Sequence, residues 1–349
     1  MNIRTYKEVL KNGIAEIQSF QNKDKLPINT GYDMFELLVP GSVVTIAGPS
    51  FTGKTIFLND LKKNIMSVEY NALATNFVWL SNSLEMTTLM NTLRDLSFKL
   101  NKSKKEILTT FFNEYEKELV NNYFREQGDG RFFINEDPPT PDEFEAGVGS
   151  FLEKHKDKDL VVVDFDHTGL TKGRGKKEVM DAIYQIQNRF KKVYPNSLFI
   201  DVSQFNRESL GRTLEKDEVM KPRRSDLYQS DELFQVSDVV ICLSIPYKLG
   251  IEQYRLVSPT FYDYLGAHFG DFNTKRTKVS FQTYGRIFFE KLKDRFTEGI
   301  SSRDTFIKVI EEDNRPEGER SNAKEVVKKP RFKDEEVKVI TVGFVDKNK

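Results

Sequence analysis

The sequence lacks the features of a secreted or membrane protein. Its 349 residues contain a single cysteine, Cys242, so no disulfide can form within the chain. Cys242 lies in the apolar run 239–243, where we interpret it as a small buried hydrophobic residue. No segment approaches the roughly 20 apolar residues of a membrane-spanning helix, and residues 1–11 lack the apolar centre of a signal peptide. We therefore expect a cytoplasmic protein, of a bacterium or of a phage-infected host.

The sequence also lacks a net charge. Its 53 basic side chains balance 53 acidic ones, so any affinity for a polyanion must come from local basic clusters. The hydrophobic content of 38% is sufficient for a buried core, and the length suits one large domain or two ordinary ones.

Three regions differ in their residue patterns. In residues 1–25, apolar side chains recur every three or four positions over 3–22, which predicts a helix. This helix docks either on a neighbouring subunit or on its own domain. Residues 26–315 are predicted to form an α/β domain, and residues 316–349 a charged, flexible tail.

Strands and helices are predicted to alternate in the middle region. The predicted strands are Val43–Ala47, Asn76–Leu80, Leu160–Phe165, Leu198–Val202 and Asp238–Leu243. The predicted helices are Ile56–Val68, Thr87–Leu100, Glu114–Gln127, Pro141–His155 and Glu178–Val193. Nearly all of the strands are continuously apolar, which is typical of a mostly parallel sheet covered by helices on both faces.

A phosphate-binding loop follows the first predicted strand. Residues 48–55 fit the pattern G-x-x-x-x-G-K-[ST] and lead directly into a predicted helix. Glycines let backbone N–H groups wrap phosphates, while Lys54 reaches the β- and γ-phosphate oxygens and Thr55 holds Mg²⁺. ATP and Mg²⁺ are therefore expected. The predicted nucleotide contacts are Gly48, Pro49, Ser50, Phe51, Thr52, Gly53, Lys54, Thr55 and Ile56.

Acidic and amide side chains follow the other predicted strands. A P-loop needs a carboxylate for the magnesium shell, and Asp164 is the preferred candidate, with Asp166 second. Glu85 and Gln204 each follow a strand, so both should emerge at the edge of the sheet that carries the P-loop. We interpret Glu85 as the group that orients the attacking water and Gln204 as the sensor of the γ-phosphate.

The order and spacing of these blocks resemble the replicative hexameric helicases of the DnaB type, which have a RecA-like motor domain. The resemblance covers about residues 5–312. It includes Ile28–Asp33, the P-loop, Ser83–Met86, Phe133–Pro138, Ser203–Arg207 and Ser225–Ile241. It implies a RecA-like P-loop NTPase fold preceded by a linker helix, and a nucleotide contact by Arg94, nine residues after Glu85.

The resemblance also implies a function. We expect an ATP-dependent replicative DNA helicase, a homohexameric ring that moves along single-stranded DNA and unwinds duplex at a replication fork. A primase, a loader and a single-strand-binding protein are the expected kinds of partner. The sequence before residue 5 has no counterpart of the helical domain that recruits primase in bacterial members, which is typical of a compact form such as a phage encodes. Residues 248–284 exceed the usual connection and are interpreted as an insertion.

Members of this family place a Lys-x-Arg pair from one subunit in the nucleotide site of the next. Lys293 and Arg295 match this pair best, and Lys275 with Arg276 is the second choice. A surface strand with alternating lysines is the structural alternative. A cation at this place offsets the charge that develops on the transferred phosphoryl group.

Two basic loops match the segments that face the channel of RecA-like rings. They are residues 168–178 and 207–224, and the structural alternative for each is a solvated charged turn. Basic side chains on such loops neutralise phosphates without reading the base sequence, so binding should weaken steeply with salt. The predicted DNA contacts are Lys172, Arg174, Lys176, Lys177, Arg207, Arg212, Arg223 and Arg224.

Two other functions fit part of the sequence. A recombinase or recombination mediator of the RecA type shares the P-loop and the glutamate but forms filaments. A nucleotide-binding scaffold or loader would work through partner contacts without turnover. The blocks Ser83–Met86 and Ser203–Arg207 favour the helicase. An inactive site is disfavoured by the joint presence of Lys54, Thr55, Asp164, Glu85 and Gln204.

Overall fold

Helices and strands alternate along the computed structural model, which describes residues 5–23, 25–32, 34–35, 37–128, 130–206, 222–227, 231–245, 253–256, 279–282, 286–296 and 305–309. The helices are α1 Tyr6–Gln21, α2 Lys54–Ile65, α3 Thr88–Leu100, α4 Lys104–Thr109, α5 Glu114–Gln127, α6 Pro141–Lys154, α7 Lys176–Val193 and α8 Asp231–Val236. The strands are β1 Ser42–Gly48, β2 Phe77–Asn82, β3 Phe132–Asn135, β4 Leu160–Phe165, β5 Ser197–Gln204, β6 Val239–Ser244, β7 Gln253–Leu256, β8 Val279–Gln282, β9 Arg286–Asp294 and β10 Thr305–Val309.

An eight-stranded sheet forms the centre of the domain, in the order β10-β9-β6-β1-β5-β4-β2-β3. The six strands from β6 to β3 are parallel, whereas β9 pairs antiparallel with both β6 and β10. The carboxyl ends of the parallel strands meet along one edge, here called the upper edge. Ligands bind at this edge in open α/β sheets.

Helices cover both faces of the sheet. On one face, Phe57 and Leu61 of α2 pack against the strands together with Leu38. On the other, α6, α7 and α8 pack against them, for example through Phe144 and Ile183. Every residue of β1, β4 and β6 is buried, and this two-sided burial explains why these strands are continuously apolar.

The cap residues separate two kinds of helix. Four helices, α1, α4, α5 and α6, begin with a capping box, such as Thr140 with Glu143. By contrast, α2 and α7 begin after Gly53 and Gly175, and neither glycine supplies a side-chain cap. The N-cap residue therefore satisfies none of the first N–H groups of α2 and α7 through a side chain.

The predicted strands and helices agree with the structure apart from small shifts at their ends. Six short elements were not predicted, namely α4, α8, β3, β7, β8 and β10. Helix α4 has no buried residue and hence no apolar stripe, and β3 is only four residues long. Within the proposed insertion 248–284, β7 and β8 form an antiparallel pair. Lys275, Arg276 and the tail 316–349 lie outside the described residues, and none of the described helices is long and apolar enough to cross a membrane.

An apolar stripe runs along α1. Tyr6, Leu10, Ile14 and Ile17 share one face of the helix, and between 46% and 77% of each of these residues is exposed. In the isolated chain, this stripe is not covered by the α/β domain.

A buried carboxyl lies between the sheet and α7. Asp201 on β5 accepts a hydrogen bond from Nε2 of Gln187 at 2.9 Å, and the hydroxyl of Thr168 lies 3.5 Å from the same oxygen. Within the described part of the chain, the second oxygen of Asp201 has no hydrogen-bond partner. Burial raises the pKa of Asp201 to about 7.

We predict that Asp201 makes the protein less stable as the pH rises. Between the ordinary pKa of 3.8 and about 7, the unfolded chain loses this proton while the folded chain keeps it. The free energy of unfolding should then fall by about 1.4 kcal/mol per pH unit, up to about 4 kcal/mol in total. Urea unfolding at pH 4.5 and pH 8 tests this, because Asp201→Asn should show a smaller decrease than the wild type. The exposed control Asp157→Asn should behave like the wild type, and equal decreases in all three proteins would rule the prediction out.

Candidate active site

The P-loop connects β1 to α2 at the upper edge. Gly48 has to be glycine, because a Cβ there would lie 2.3 Å from the carbonyl oxygen of Leu243. Gly53 has a φ of 81°, in the left-handed region that favours glycine. Phe51 also has a positive φ, 63°, and its side chain is 86% exposed. Two positions of the loop, 51 and 53, therefore have a left-handed backbone just before α2 begins.

Lys54 lies folded back onto the P-loop. Its ammonium donates to the carbonyl oxygens of Gly48 at 3.0 Å and Pro49 at 2.6 Å, and the residue is buried. Burial lowers the pKa of Lys54 to about 8, whereas the nearby Glu85 carboxylate acts to raise it. Thr55 follows in the first turn of α2, and the side chain of Ile56 is half exposed.

Gln204 lies beside the P-loop. It is the last residue of β5 and pairs in register with Gly48. The hydroxyl of Ser50 donates to Oε1 of Gln204 at 3.4 Å, and the next backbone N–H, of Phe205, donates to the Gly48 carbonyl at 3.2 Å. Sheet pairing thus holds Gln204 against the loop.

The first candidate for the magnesium carboxylate, Asp164, is turned into the core. It accepts hydrogen bonds from the indole N–H of Trp79 and from the hydroxyl of Ser81, the latter at 2.7 Å. Lys62 of α2 donates to the same hydroxyl at 3.5 Å. Burial raises the pKa of Asp164 to about 6, and the positive charge of Lys62 opposes this shift.

The two candidate aspartates lie at different depths. Asp164 and Val44 both pair with Ile200, and Val44 precedes Gly48 by four residues, which is about 13 Å along the strand. Asp166 lies two residues beyond Asp164 and is therefore nearer to the upper edge. This depth favours Asp166, the second candidate, over Asp164.

The segment carrying Glu85 follows β2 and contacts Asp166. The Asp166 carboxylate accepts from the backbone N–H groups of Leu84 at 2.8 Å and Glu85 at 3.3 Å, and from the Ser83 hydroxyl at 3.1 Å. The Glu85 side chain is exposed, and its charge raises the pKa of Lys54. The structure thus brings Glu85, Asp166 and the P-loop lysine to one edge.

Arg94 lies beside this segment. Its guanidinium donates to Oδ1 of Asn91 at 2.9 Å and to the sulfur of Met86 at 3.3 Å. His167 lies nearby, where burial lowers its pKa and the charges of Glu85 and Asp166 oppose the shift. The Nδ1 atom of His167 accepts from the N–H of Gly169 at 3.1 Å, which fits a structural role.

Lys293 and Arg295 lie away from the P-loop of their own chain. Lys293 pairs with Val240, which pairs with Thr45, so the lysine is level with a point about 10 Å below Gly48. Because β9 is antiparallel to β6, Arg295 lies further still from the upper edge, toward the opposite edge of the sheet, here called the lower edge. Neither side chain is placed to reach a nucleotide on the same chain's P-loop.

Both basic side chains are tethered within their own chain. Lys293 donates to the backbone carbonyls of Phe234 and Gln235, and Arg295 forms an ion pair with Asp238 at 2.8 Å. Burial and the neighbouring Arg295 lower the pKa of Lys293 to about 8. Both side chains are therefore held by contacts within their own chain, and the orientation of Arg295 depends on Asp238.

Comparison with known proteins decides the family. The profile described as DnaB-like helicase C terminal domain matches residues 28–253, more than half of the chain. The chain belongs to the DnaB-like helicase family. Nothing among functionally curated proteins matches the sequence.

Two solved structures share the fold of this DnaB-like chain. A DnaB-like replicative helicase, described with its interactions with primase, has 16% identity and a TM-score of 0.59, and the match covers 90% of this chain and 66% of that one. The ATPase domain of G40P has 18% identity and a TM-score of 0.61, with 90% and 98% covered. At such identities the likeness shows the fold, a RecA-like ATPase domain with a mostly parallel sheet.

The predicted DNA contacts of this DnaB-like chain fall into three groups. Lys172, Arg174, Lys176 and Lys177 are exposed and adjacent, either before α7 or in its first turn. Arg223 and Arg224 are also exposed, but Arg224 stacks on the ring of Phe234, as Lys293 does. Arg207 and Arg212 lie outside the described residues.

Several contacts that shape the site gave no sequence signal. Ser83 and Asn91 hold the Glu85 segment, the charge of Lys62 acts to lower the pKa of Asp164, and Asp238 orients Arg295. Their partners lie on other elements, and no local pattern marks such contacts.

Proposed function

We propose that this chain is the motor of an ATP-dependent replicative DNA helicase, which forms a ring and moves along single-stranded DNA. The observation that carries the proposal is the division of the catalytic groups. Lys54, Glu85 and Gln204 meet at the upper edge, whereas the basic pair Lys293 and Arg295 points elsewhere. A site completed by the next subunit accounts for both facts.

The residues at the upper edge fit a nucleoside triphosphate with Mg²⁺. The first turn of α2 has no side-chain cap, so its N–H groups suit phosphate oxygens. Three donors occupy the Asp166 carboxylate, which has about four acceptor positions, so one remains for the magnesium shell. Phosphate oxygens and water would complete the magnesium shell. Bound Mg²⁺ would neutralise charge on the β- and γ-phosphates.

Each of the chain's own residues then has a defined task. Lys54 moves its ammonium from the P-loop carbonyls to the phosphates, Thr55 and Asp166 hold the magnesium shell, and Glu85 takes a proton from the attacking water. Gln204, fixed against Gly48, senses the γ-phosphate. From the neighbouring subunit, Arg295 and Lys293 stabilise the charge that builds on the transferred group.

The ring itself is proposed from α1 as well as from the finger residues. An apolar stripe of this kind is normally buried, and a neighbouring copy of the domain would bury it. Hydrolysis at one interface would shift the DNA loops of that subunit, so that sequential turnover moves the strand through the channel.

We predict that the loop before α7 binds the DNA backbone. Replacement of both Lys172 and Arg174 by alanine should weaken binding of a single-stranded oligonucleotide about tenfold and reduce the slope of log K against log salt by about 0.7 for each lost phosphate contact. Fluorescence anisotropy at several salt concentrations measures both quantities. The matched control, Lys104→Ala with Lys105→Ala on α4, should change neither. An unchanged salt slope in the loop variant would exclude this loop from the DNA site.

Unwinding of a forked duplex with ATP, combined with electron microscopy of the same sample, tests the proposed function. Strand separation by closed rings supports the helicase. Filaments with strand exchange would identify a RecA-type recombinase instead, and ATP binding without turnover would identify a scaffold or loader.

A further inference from the structure

The segment between β2 and α3 carries Glu85 without regular secondary structure. Within the described part of the chain, no group donates a hydrogen bond to the Glu85 carboxylate. The position of that carboxylate is therefore set by the backbone beneath it. Whatever fixes residues 83–86 also fixes the proposed water-orienting group.

The side chain of Asn91, on α3, fixes this backbone through two hydrogen bonds. Nδ2 of Asn91 donates to the hydroxyl of Ser83 at 2.7 Å and to the carbonyl of Met86 at 3.3 Å. One amide thus spans the segment, with a contact on each side of Glu85. Ser83 is buried, so its hydroxyl is shielded from water.

The same hydroxyl continues the connection to β4. Ser83 accepts from Asn91 and donates to Asp166, which also accepts from the Glu85 N–H. Arg94 donates to Oδ1 of Asn91 and so selects the amide orientation in which Nδ2 faces Ser83. All the donors run in one direction, from Arg94 to the carboxylate, and hydrogen bonds aligned in this way strengthen one another.

We propose that Ser83 and Asn91 are positioning residues for ATP hydrolysis, which hold Glu85 in place by bridging α3 to the end of β4. The inference rests on the proposed function, because it assigns these residues to the same reaction. Neither side chain needs to touch the nucleotide. Their loss should therefore affect the chemical step and leave nucleotide binding intact.

Ser83→Ala removes the bridging hydroxyl, and Asn91→Leu removes the amide at similar volume. Each variant should lower kcat for ATP by about 10- to 100-fold with KM unchanged, because a misplacement of about 1 Å has effects of this size. Hydrogen exchange of residues 83–87 should become faster while β1 and α2 keep their protection. The double variant should be no slower than the slower single variant, since both changes break one bridge. Thr92→Ala, on the same helix, is the control and should match the wild type.

The outcomes separate this inference from the proposed function. If the wild type fails to hydrolyse ATP with single-stranded DNA, the proposed function is lost. If the wild type is active and Glu85→Gln is not, the inference is overturned by normal kcat in both single variants. It is also overturned if the decreases in kcat of the two single variants multiply in the double variant. A rise in KM that accounts for the loss of kcat/KM would overturn it as well.

Discussion

Glu85→Gln is expected to lower ATP hydrolysis by about 100- to 10,000-fold while ATP still binds, because an amide keeps the shape of the carboxylate but does not accept the proton of the attacking water. Lys54→Ala should also abolish hydrolysis, by a different route. Its ammonium lies on the P-loop carbonyls, next to where the phosphates are expected, so its loss should weaken binding as well as turnover. Steady-state hydrolysis with and without single-stranded DNA, together with equilibrium binding of ATP, distinguishes the two effects.

Matched variants show whether these losses are specific. Glu118→Gln changes an exposed glutamate of α5 and should leave kcat unaltered. Asp166→Asn should raise the Mg²⁺ concentration required for activity, whereas Asp164→Asn should mainly lower thermal stability, because Asp164 lies among Trp79, Ser81 and Lys62. Normal turnover in Glu85→Gln would remove its assignment as the water-orienting group. A magnesium effect confined to Asp164→Asn would restore the first candidate.

Much of the fold could be predicted because its signals are local. Strands buried on both faces have to be apolar along their whole length, so β1, β4 and β6 are visible in the sequence. The P-loop is equally local, since its glycines, lysine and helix start are adjacent. Elements with few buried residues, such as α4, carry no comparable periodicity and were missed.

The site could be predicted only in part, because depth within a sheet depends on strand register. Side-chain alternation predicts that Asp164 and Asp166 share one face if the strand continues, but β4 ends at Phe165, and alternation does not say which carboxylate lies nearer to the P-loop. The depth depends on how β4 pairs with β5 and how β5 pairs with β1, and these strands are far apart in the sequence. The Ser83–Asn91 bridge was missed because no local pattern marks a side-chain contact between α3 and the segment before it.

The assignment of Lys293 and Arg295 stays a prediction, but the structure gives it a specific form. Lys293 lies level with the middle of β1, on the face covered by α8, and Arg295 lies below it, whereas α2 covers the opposite face. If these cations serve a nucleotide, the nucleotide belongs to another copy of the chain. The question to be tested is therefore which subunit supplies these cations to the nucleotide.

Arg295→Ala is therefore expected to lower kcat by about 1,000- to 100,000-fold, the range found for a cation that stabilises a transferring phosphoryl group. ATP should still bind, because the P-loop of each subunit is intact. Mixing this variant with the Lys54→Ala variant shows whether Arg295 acts on the nucleotide of its own subunit or on that of a neighbouring subunit. Some interfaces in mixed rings combine an intact P-loop from one variant with an intact Arg295 from the other, and hydrolysis should return there. Two variants that are each inactive should thus be partly active together.

The ion pair of Arg295 with Asp238 provides the alternative explanation and its control. Asp238 also binds Lys191 of α7 at 2.8 Å and the N–H of Val43, so losing Arg295 could act by loosening its own domain. A loosened domain would affect only the variant subunit itself, so mixing the two variants would not restore ATP hydrolysis. Asp238→Asn should lower thermal stability and reduce kcat less than Arg295→Ala, because the guanidinium is still present and still donates to the Gln235 carbonyl. Absence of rescue, with mixed rings confirmed by mass spectrometry, would assign Arg295 to the fold of its own chain and remove the trans site on which the proposed motor depends.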